Sequence, residues 1–227
     1  MPTPNWVLKA NSTSTTNQIA PASTMVCAAR NEKRCELSTT EPTKPPKEKT
    51  FLIKRSAETC AQAIPNGASV FMNIGTSTEA VAQSLLDHQN LLVVTNNLNI
   101  ANILIANTSC EIILTAGILR RIDGGLVGGL TADLLKQFKF DCAILGCSAI
   151  DTDGDLLDFD GQEIMVSQTA LKQSRSVMVV ADHLKFKRTA PLKICSLKDV
   201  DKLFTDVALP GNLLGDCNQW GTDVLVA

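Results

Sequence analysis

From about residue 51 onward the sequence predicts an α/β fold, a mostly parallel sheet covered on both faces by helices. Three observations carry that prediction. Short apolar runs rich in β-branched residues recur along the chain, segments with helical spacing stand between them, and the runs are apolar throughout instead of alternating with polar residues. A strand with no polar side is buried on both faces, and parallel neighbours need a crossover, most simply a helix. Strands that alternate with helices therefore build a parallel sheet with a helical layer on each side.

The elements follow in order. FLIKRSAETCAQAI, residues 51–64, reads as a helix that stops at the turn signal Pro65-Asn66-Gly67. Strands are expected at Ala68–Ile74, Leu91–Thr95, Glu111–Thr115, Cys142–Gly146 and Val177–Ala181. Helices are expected between them, at Thr78–Asp87, Asn99–Ala106, Thr131–Phe138 and Gln162–Gln173. Residues 1–50, with NSTSTTNQIAPAST and TEPTKPPKEKT, have the Ser, Thr, Pro and charge content of a disordered or poorly folded leader. Residues 51–209 form the folded domain, and residues 210–227, with glycines and no clear period, are expected to be a loosely attached extension.

Composition narrows the function classes. Of 227 residues 44% are hydrophobic, enough for one domain with a substantial core. A formal charge of -2 lacks the Lys and Arg excess that sequence-blind nucleic-acid binding requires. No apolar run approaches the roughly 20 residues of a membrane span, and the polar N-terminus lacks a signal-peptide core. The eight cysteines are scattered without a CxxC pair, several inside apolar runs where a thiol behaves as a small hydrophobe, so the expected setting is reducing and cytoplasmic.

Ligands of open α/β sheets bind beyond the carboxyl ends of the strands, which directs attention to the residues following each run. These are Asn73 to Thr78, then Thr95-Asn96-Asn97, then Ala116-Gly117 and Arg120, then Gly146 to Asp151, then Asp182-His183-Leu184-Lys185. In NIGTST, Gly75 allows a turn barred to other residues, and Thr76, Ser77 and Thr78 offer hydroxyls and cap the next helix. Such a helix start can hold an anion, although an ordinary strand-to-helix turn has the same wording. Lys185 can meet a phosphate as a point charge or serve as a plain surface lysine.

Other motifs fail their own tests. DGGLVGGL (123–130) has Leu130 where a Walker loop needs lysine and contains no G-x-G-x-x-G, leaving a flexible connection or a close backbone approach. The acidic run 151–163 has Leu156 and Gln162 at the glycine and bidentate positions of a calcium loop, so Asp153-Gly154 is a turn. Asp160 and Glu163 flank a helix start, where they either cap it or accept hydrogen bonds from ligand hydroxyls. His88 reads as a surface residue, and His183 has no paired nucleophile and no metal-ligand cluster around it.

AIPNGASVFMNIGTSTEAVAQSLL, LLVVTNNLNIAN, EIILTAGILRRIDGGLVG, FDCAILGCSAIDTDGDLLDFDGQE, SVMVVADHLKFKR and VDKLFTD stand in this order over about two thirds of the chain. In that order they resemble the C-terminal effector-sensing domain of DeoR-type bacterial transcriptional repressors. The resemblance implies a three-layer α/β/α sandwich similar to ribose-5-phosphate isomerase, the sugar-phosphate deaminases and CoA transferases. It also implies a phosphorylated polyol or sugar as effector, glycerol 3-phosphate foremost, bound without chemistry, metal or cofactor to relieve repression. On this chain the implied phosphate grip is Gly75, Thr76, Ser77, Thr78 and Lys185, and the implied hydroxyl partners are Asn96, Asp160, Glu163 and Asp182. Homo-oligomers, and operator DNA for the intact family, are the implied partners, and membranes are not.

Departures from the family pattern bear on affinity and specificity. Asn73 stands at a usual Asp, Ala116 at a common glycine pair, and Leu184 and Lys187 at the Ser and Gly of D-x-S-K-F-G. Residues 1–50 show no two-helix pattern with a recognition helix, so the expectation is a sensor whose winged helix-turn-helix is lost. The alternative on the same fold is a sugar-phosphate isomerase or deaminase, with Glu163, Asp182 and His183 as candidate bases.

Overall fold

Successive residues of a strand point to opposite sides of a sheet, and here that alternation sorts the apolar side chains into two cores. Val70, Met72, Val93, Cys142, Ile144, Met178 and Val180 join one, while Phe71, Val94, Ala143, Leu145, Val177, Val179 and Ala181 join the other. Both faces of the sheet are thus buried, as strands without a polar side require.

The computed structural model describes residues 47–227. The expected leader lies outside these residues except for its last four. Those begin α1 (Lys47–Gln62), which is followed by β1 (Ser69–Met72), α2 (Thr76–Ser84), β2 (Leu92–Thr95), α3 (Leu98–Leu104) and β3 (Glu111–Leu114). A short hairpin, β4 (Ile118–Leu119) and β5 (Leu126–Val127), leads into α4 (Gly129–Leu135) and β6 (Phe140–Leu145). Then come β7 (Ala149–Ile150), β8 (Asp155–Asp158), α5 (Gly161–Gln173), β9 (Ser174–Ala181) and β10 (Leu192–Ser196). The chain closes with β11 (Lys202–Thr205), α6 (Leu213–Trp220) and β12 (Asp223–Val226).

Seven strands form the main sheet in the order β12-β11-β9-β6-β1-β2-β3, every neighbouring pair parallel. Helices α1, α2 and α3 supply one core with Ala57, Cys60, Val81, Ile100 and Leu104. Helices α4, α5 and α6 supply the other with Leu135, Val166, Ala170, Leu213 and Cys217. The architecture is a three-layer α/β/α sandwich.

Residues 210–227 are no loose extension. Gly221, at φ 82, ends α6 in the left-handed conformation that closes many helices, and the chain re-enters to pair β12 with β11. The Thr222 hydroxyl, buried, donates to Leu197 O at 2.7 Å. A four-residue edge strand half exposed on both faces has no alternation to read in the sequence. Asp153-Gly154 is the expected turn: it joins β7 to β8, and β8 pairs antiparallel with β10 in a small second sheet. None of the helices among the described residues is long and apolar enough to cross a membrane.

Candidate functional site

The strand order places a switch point between β1 and β6. From β1 the chain moves outward to β2 and β3, then returns to β6 on the opposite side of β1. Connections leaving two adjacent strands in opposite directions open a crevice at their carboxyl ends. A cavity of about 650 Å³ lies there, walled by Ile74 to Ser77 after β1 and by Gly146 to Ser148 after β6.

Asn73 holds the two strand ends at this crevice. Its Nδ2 donates to Gly146 O at 3.0 Å and to Ser167 Oγ at 3.4 Å, and its Oδ1 accepts Gly146 N–H at 2.8 Å. A carboxylate accepts but cannot donate to the Gly146 carbonyl, so the amide is the group this buried geometry requires.

Gly75 opens α2 at φ 153 and ψ 150, a region essentially limited to glycine. The expected side-chain cap is absent: Gly75 is the cap residue, and neither Thr76, Ser77 nor Thr78 caps the helix. Thr78 is buried and donates its hydroxyl to Asn73 O at 2.9 Å and Gly75 O at 2.8 Å, closing the turn from inside. The first helical bond runs from Glu79 N–H to Gly75 O, so the amides ahead of it have no helical acceptor. They lie at the positive end of the helix dipole beside the cavity.

Lys185 reaches the same cavity from the turn after β9. Asp182 builds that turn, its Oδ1 accepting Leu184 N–H at 2.9 Å and its carbonyl accepting Lys185 N–H at 2.9 Å. His183 is tied to Asp206, whose carboxylate meets the ring Nδ1 at 2.7 Å and the backbone N–H at 2.6 Å. Among the described residues Lys185 makes no ion pair.

The far wall is built around Arg120. The β4–β5 hairpin folds back through Arg120 N–H to Gly125 O at 2.8 Å, and Gly125 lies so close that an added Cβ would meet Ile74 Cδ1 at 2.4 Å. The glycine segment is therefore a close backbone approach that carries Arg120 to the cavity. Arg120 donates to Asp160 at 2.6 Å, to Glu163 at 2.7 Å and twice to Asp123. Asp160 also caps α5, accepting Gln162 N–H at 2.8 Å. Of the two carboxylates Asp160 takes the expected cap, and both line the cavity.

Charge is unevenly balanced there. Burial disfavours the guanidinium charge, yet Asp123, Glu163 and Asp160 outweigh it and hold the Arg120 proton more tightly than water would. Burial also acts to raise the Asp160 carboxyl, but the Gln162 amide and Arg120 together hold it below its usual range. Glu163 bears the excess: burial first and Asp158 second push its pKa up to about 7 against the pull of Arg120. One cation cannot neutralise four carboxylates, and Glu163 is the one whose proton is held.

Of the residues expected at the site, Gly75, Thr76, Ser77, Lys185, Asp160 and Glu163 line the cavity together. Thr78, Asn96 and Asp182 do not. Asn96 is fully buried, its Nδ2 donating to Leu126 O at 3.0 Å, and Thr78 and Asp182 shape the turns behind the wall. Glu79, Asn99, Arg120, Asp123 and Asp158 also line the cavity without having been expected as contacts. Arg120 stood at a strand end, which was the available signal, but its partners Asp160 and Glu163 are 40 and 43 residues away.

Residues 53–207 match the family model described as the DeoR C terminal sensor domain. The chain is 46% identical over 161 residues to the glycerol-3-phosphate regulon repressor of Escherichia coli strain K12, a match covering 71% of this chain and 64% of that protein. The protein of the same name from Haemophilus influenzae is 49% identical over 149 residues, covering 66% and 58%. The match thus spans about three fifths of the length of these relatives. Among solved structures, eIF2B delta from Chaetomium thermophilum superposes with a TM-score of 0.50 at 16% identity over 70% of this chain and 56% of that one, a likeness of fold alone.

Proposed function

This chain belongs to the DeoR family of transcriptional repressors through its sensor domain, and from that premise we propose that its cavity binds a phosphorylated polyol or sugar, glycerol 3-phosphate foremost. The observation that carries the reading is that two kinds of group line one cavity. Unspent backbone donors and the unpaired Lys185 suit a phosphate, and carboxylates that accept hydrogen bonds suit hydroxyls. The phosphate is assigned to Gly75, Thr76, Ser77 and Lys185, with Thr78 and Asp182 shaping the turns that present them. Asp160 and Glu163, set by Arg120, take the hydroxyls, and Asn96 supports the hairpin from behind.

Binding acts by differential affinity: the ligand stabilises the conformation it fits best, and the whole cytoplasmic repressor, as a homo-oligomer, releases operator DNA. Thermal melting tests the binding step, because a ligand of the native state raises stability by RT ln(1 + [L]/Kd). Glycerol 3-phosphate is expected to raise the melting temperature of the native protein and not of Lys185→Ala. No shift with any phosphorylated polyol or sugar overturns the reading.

One observation favours a second reading, catalysis at the same site. A buried carboxyl with a pKa of about 7 on a cavity wall is suited to general-base work. Asp182 and His183, the other candidate bases, are off the wall. Turnover of pentose or hexosamine phosphates that disappears in Glu163→Ala replaces the sensor reading with an enzyme.

A further inference from the structure

We propose that the cavity selects phosphomonoesters whose other end is uncharged. A polyol phosphate enters, and the acid formed by oxidising that same end to a carboxylate is turned away. The inference rests on the sensor reading above and concerns the carboxylates around Arg120.

The arginine is the only cation paired with these carboxylates among the described residues, and four of its five N–H donors are engaged. Nη1 serves Asp160, Nη2 serves both Asp123 and Glu163, and Nε serves Asp123 again. The fourth carboxylate, Asp158, is buried and has no cation at all; its Oδ1 accepts the Ser148 hydroxyl at 3.0 Å and Phe159 N–H at 2.7 Å. A ligand carboxylate arriving here has two options. It displaces a protein carboxylate from Arg120 and leaves that charge buried and unpaired, or it takes the one N–H that Arg120 has left and sits among like charges. A hydroxyl meets neither obstacle, since it donates to a carboxylate oxygen without adding charge. Sites built to accept hydrogen bonds from a substrate hydroxyl discriminate strongly, because the wrong ligand leaves buried polar groups mismatched.

The phosphate end does not impose the same restriction. Lys185 and the free amides of α2 answer one anionic group, and among the described residues no other unpaired cation lines the cavity. Both ends of a doubly anionic ligand therefore cannot be met at once.

Matched pairs test this. Calorimetric titration of the native chain compares glycerol 3-phosphate with glycerate 3-phosphate, and sorbitol 6-phosphate with gluconate 6-phosphate. In whichever pair binds, the alcohol is expected to bind at least about ten-fold tighter than the acid. In titrations run at about pH 8, above the Glu163 pKa, Glu163→Gln and Asp160→Asn each remove about one negative charge and are expected to narrow that ratio several-fold. Asn caps a helix as well as Asp, so the second variant keeps the α5 start even if the first perturbs folding. Acids that bind as tightly as alcohols overturn the inference and leave the sensor reading standing, as does a ratio that neither variant narrows. Silence of all four compounds brings down the sensor reading, and this inference with it.

Discussion

At the loop end of the cavity donors stand without acceptors: the first amides of α2 have no helical partner, and Lys185 pairs with no carboxylate among the described residues. At the arginine end the reverse holds, with every Arg120 nitrogen engaged by Asp123, Asp160 or Glu163 and with carboxylate left over. The two ends face the same space, yet they serve different masters. An end that satisfies itself holds the hairpin, the α5 start and the sheet edge together whether or not a ligand is present. An end that leaves donors open contributes little to folding and most to binding. Substitutions at the arginine end are therefore expected to unfold the protein, and substitutions at the loop end to silence it.

The largest effect is expected at Arg120. Arg120→Ala leaves three carboxylates, one of them largely buried, facing one another, and breaking such a pair costs roughly 3 kcal/mol of stability. Urea unfolding of the native chain and the variant measures it, and a loss below about 1 kcal/mol removes the structural role assigned to that end.

Nearly as large is the pH dependence of Glu163. Its carboxyl goes from 4.5 when unfolded to about 7 when folded, so the native state holds a proton that the unfolded state has released across that window. Stability from this group therefore falls as pH rises from 4.5 to about 7, by roughly 3 kcal/mol, and is flat above. In Glu163→Gln this slope is expected to vanish, and denaturant melts at several pH values across the window will register its persistence or loss.

Between the two ends stands Asn73, which joins β1 to β6. Asn73→Asp sets a carboxylate against the Gly146 carbonyl and is expected to cost about 2 kcal/mol, read as a fall in the denaturation midpoint. A stable Asp variant would show that the strand ends can rearrange. The smallest effect on stability belongs to Lys185→Ala, within about 0.5 kcal/mol of the native chain, since the side chain is unpaired and half exposed. Any larger loss would place Lys185 with the structural end and erase the contrast.

Much of the fold was legible because its signals are local. The central strands are apolar throughout and β-branched, and the β1–α2 turn carries its glycine in the sequence next to the strand it follows. The strand-end rule then put Gly75, Thr76, Ser77 and Lys185 on one list, and they share one cavity. Less was legible where the partner is remote or the element is short. The edge strand β12 shows no alternation and β7 has only two residues, and Thr78 looked like a ligand contact because a linear sequence cannot show its hydroxyl turning inward to Asn73 O.

The sequence by itself determined the α/β class, five of the seven strands of the central sheet and the glycine turn at the head of α2, because hydrophobic pattern and backbone permission act over a few residues. Only the tertiary structure decided which charges meet. It set Arg120 among Asp123, Asp160 and Glu163, tied Asn73 to Gly146 and left Lys185 alone. Electrostatic and hydrogen-bond energies depend on distance in space, which the crossover from β3 to β6 creates and residue spacing does not record.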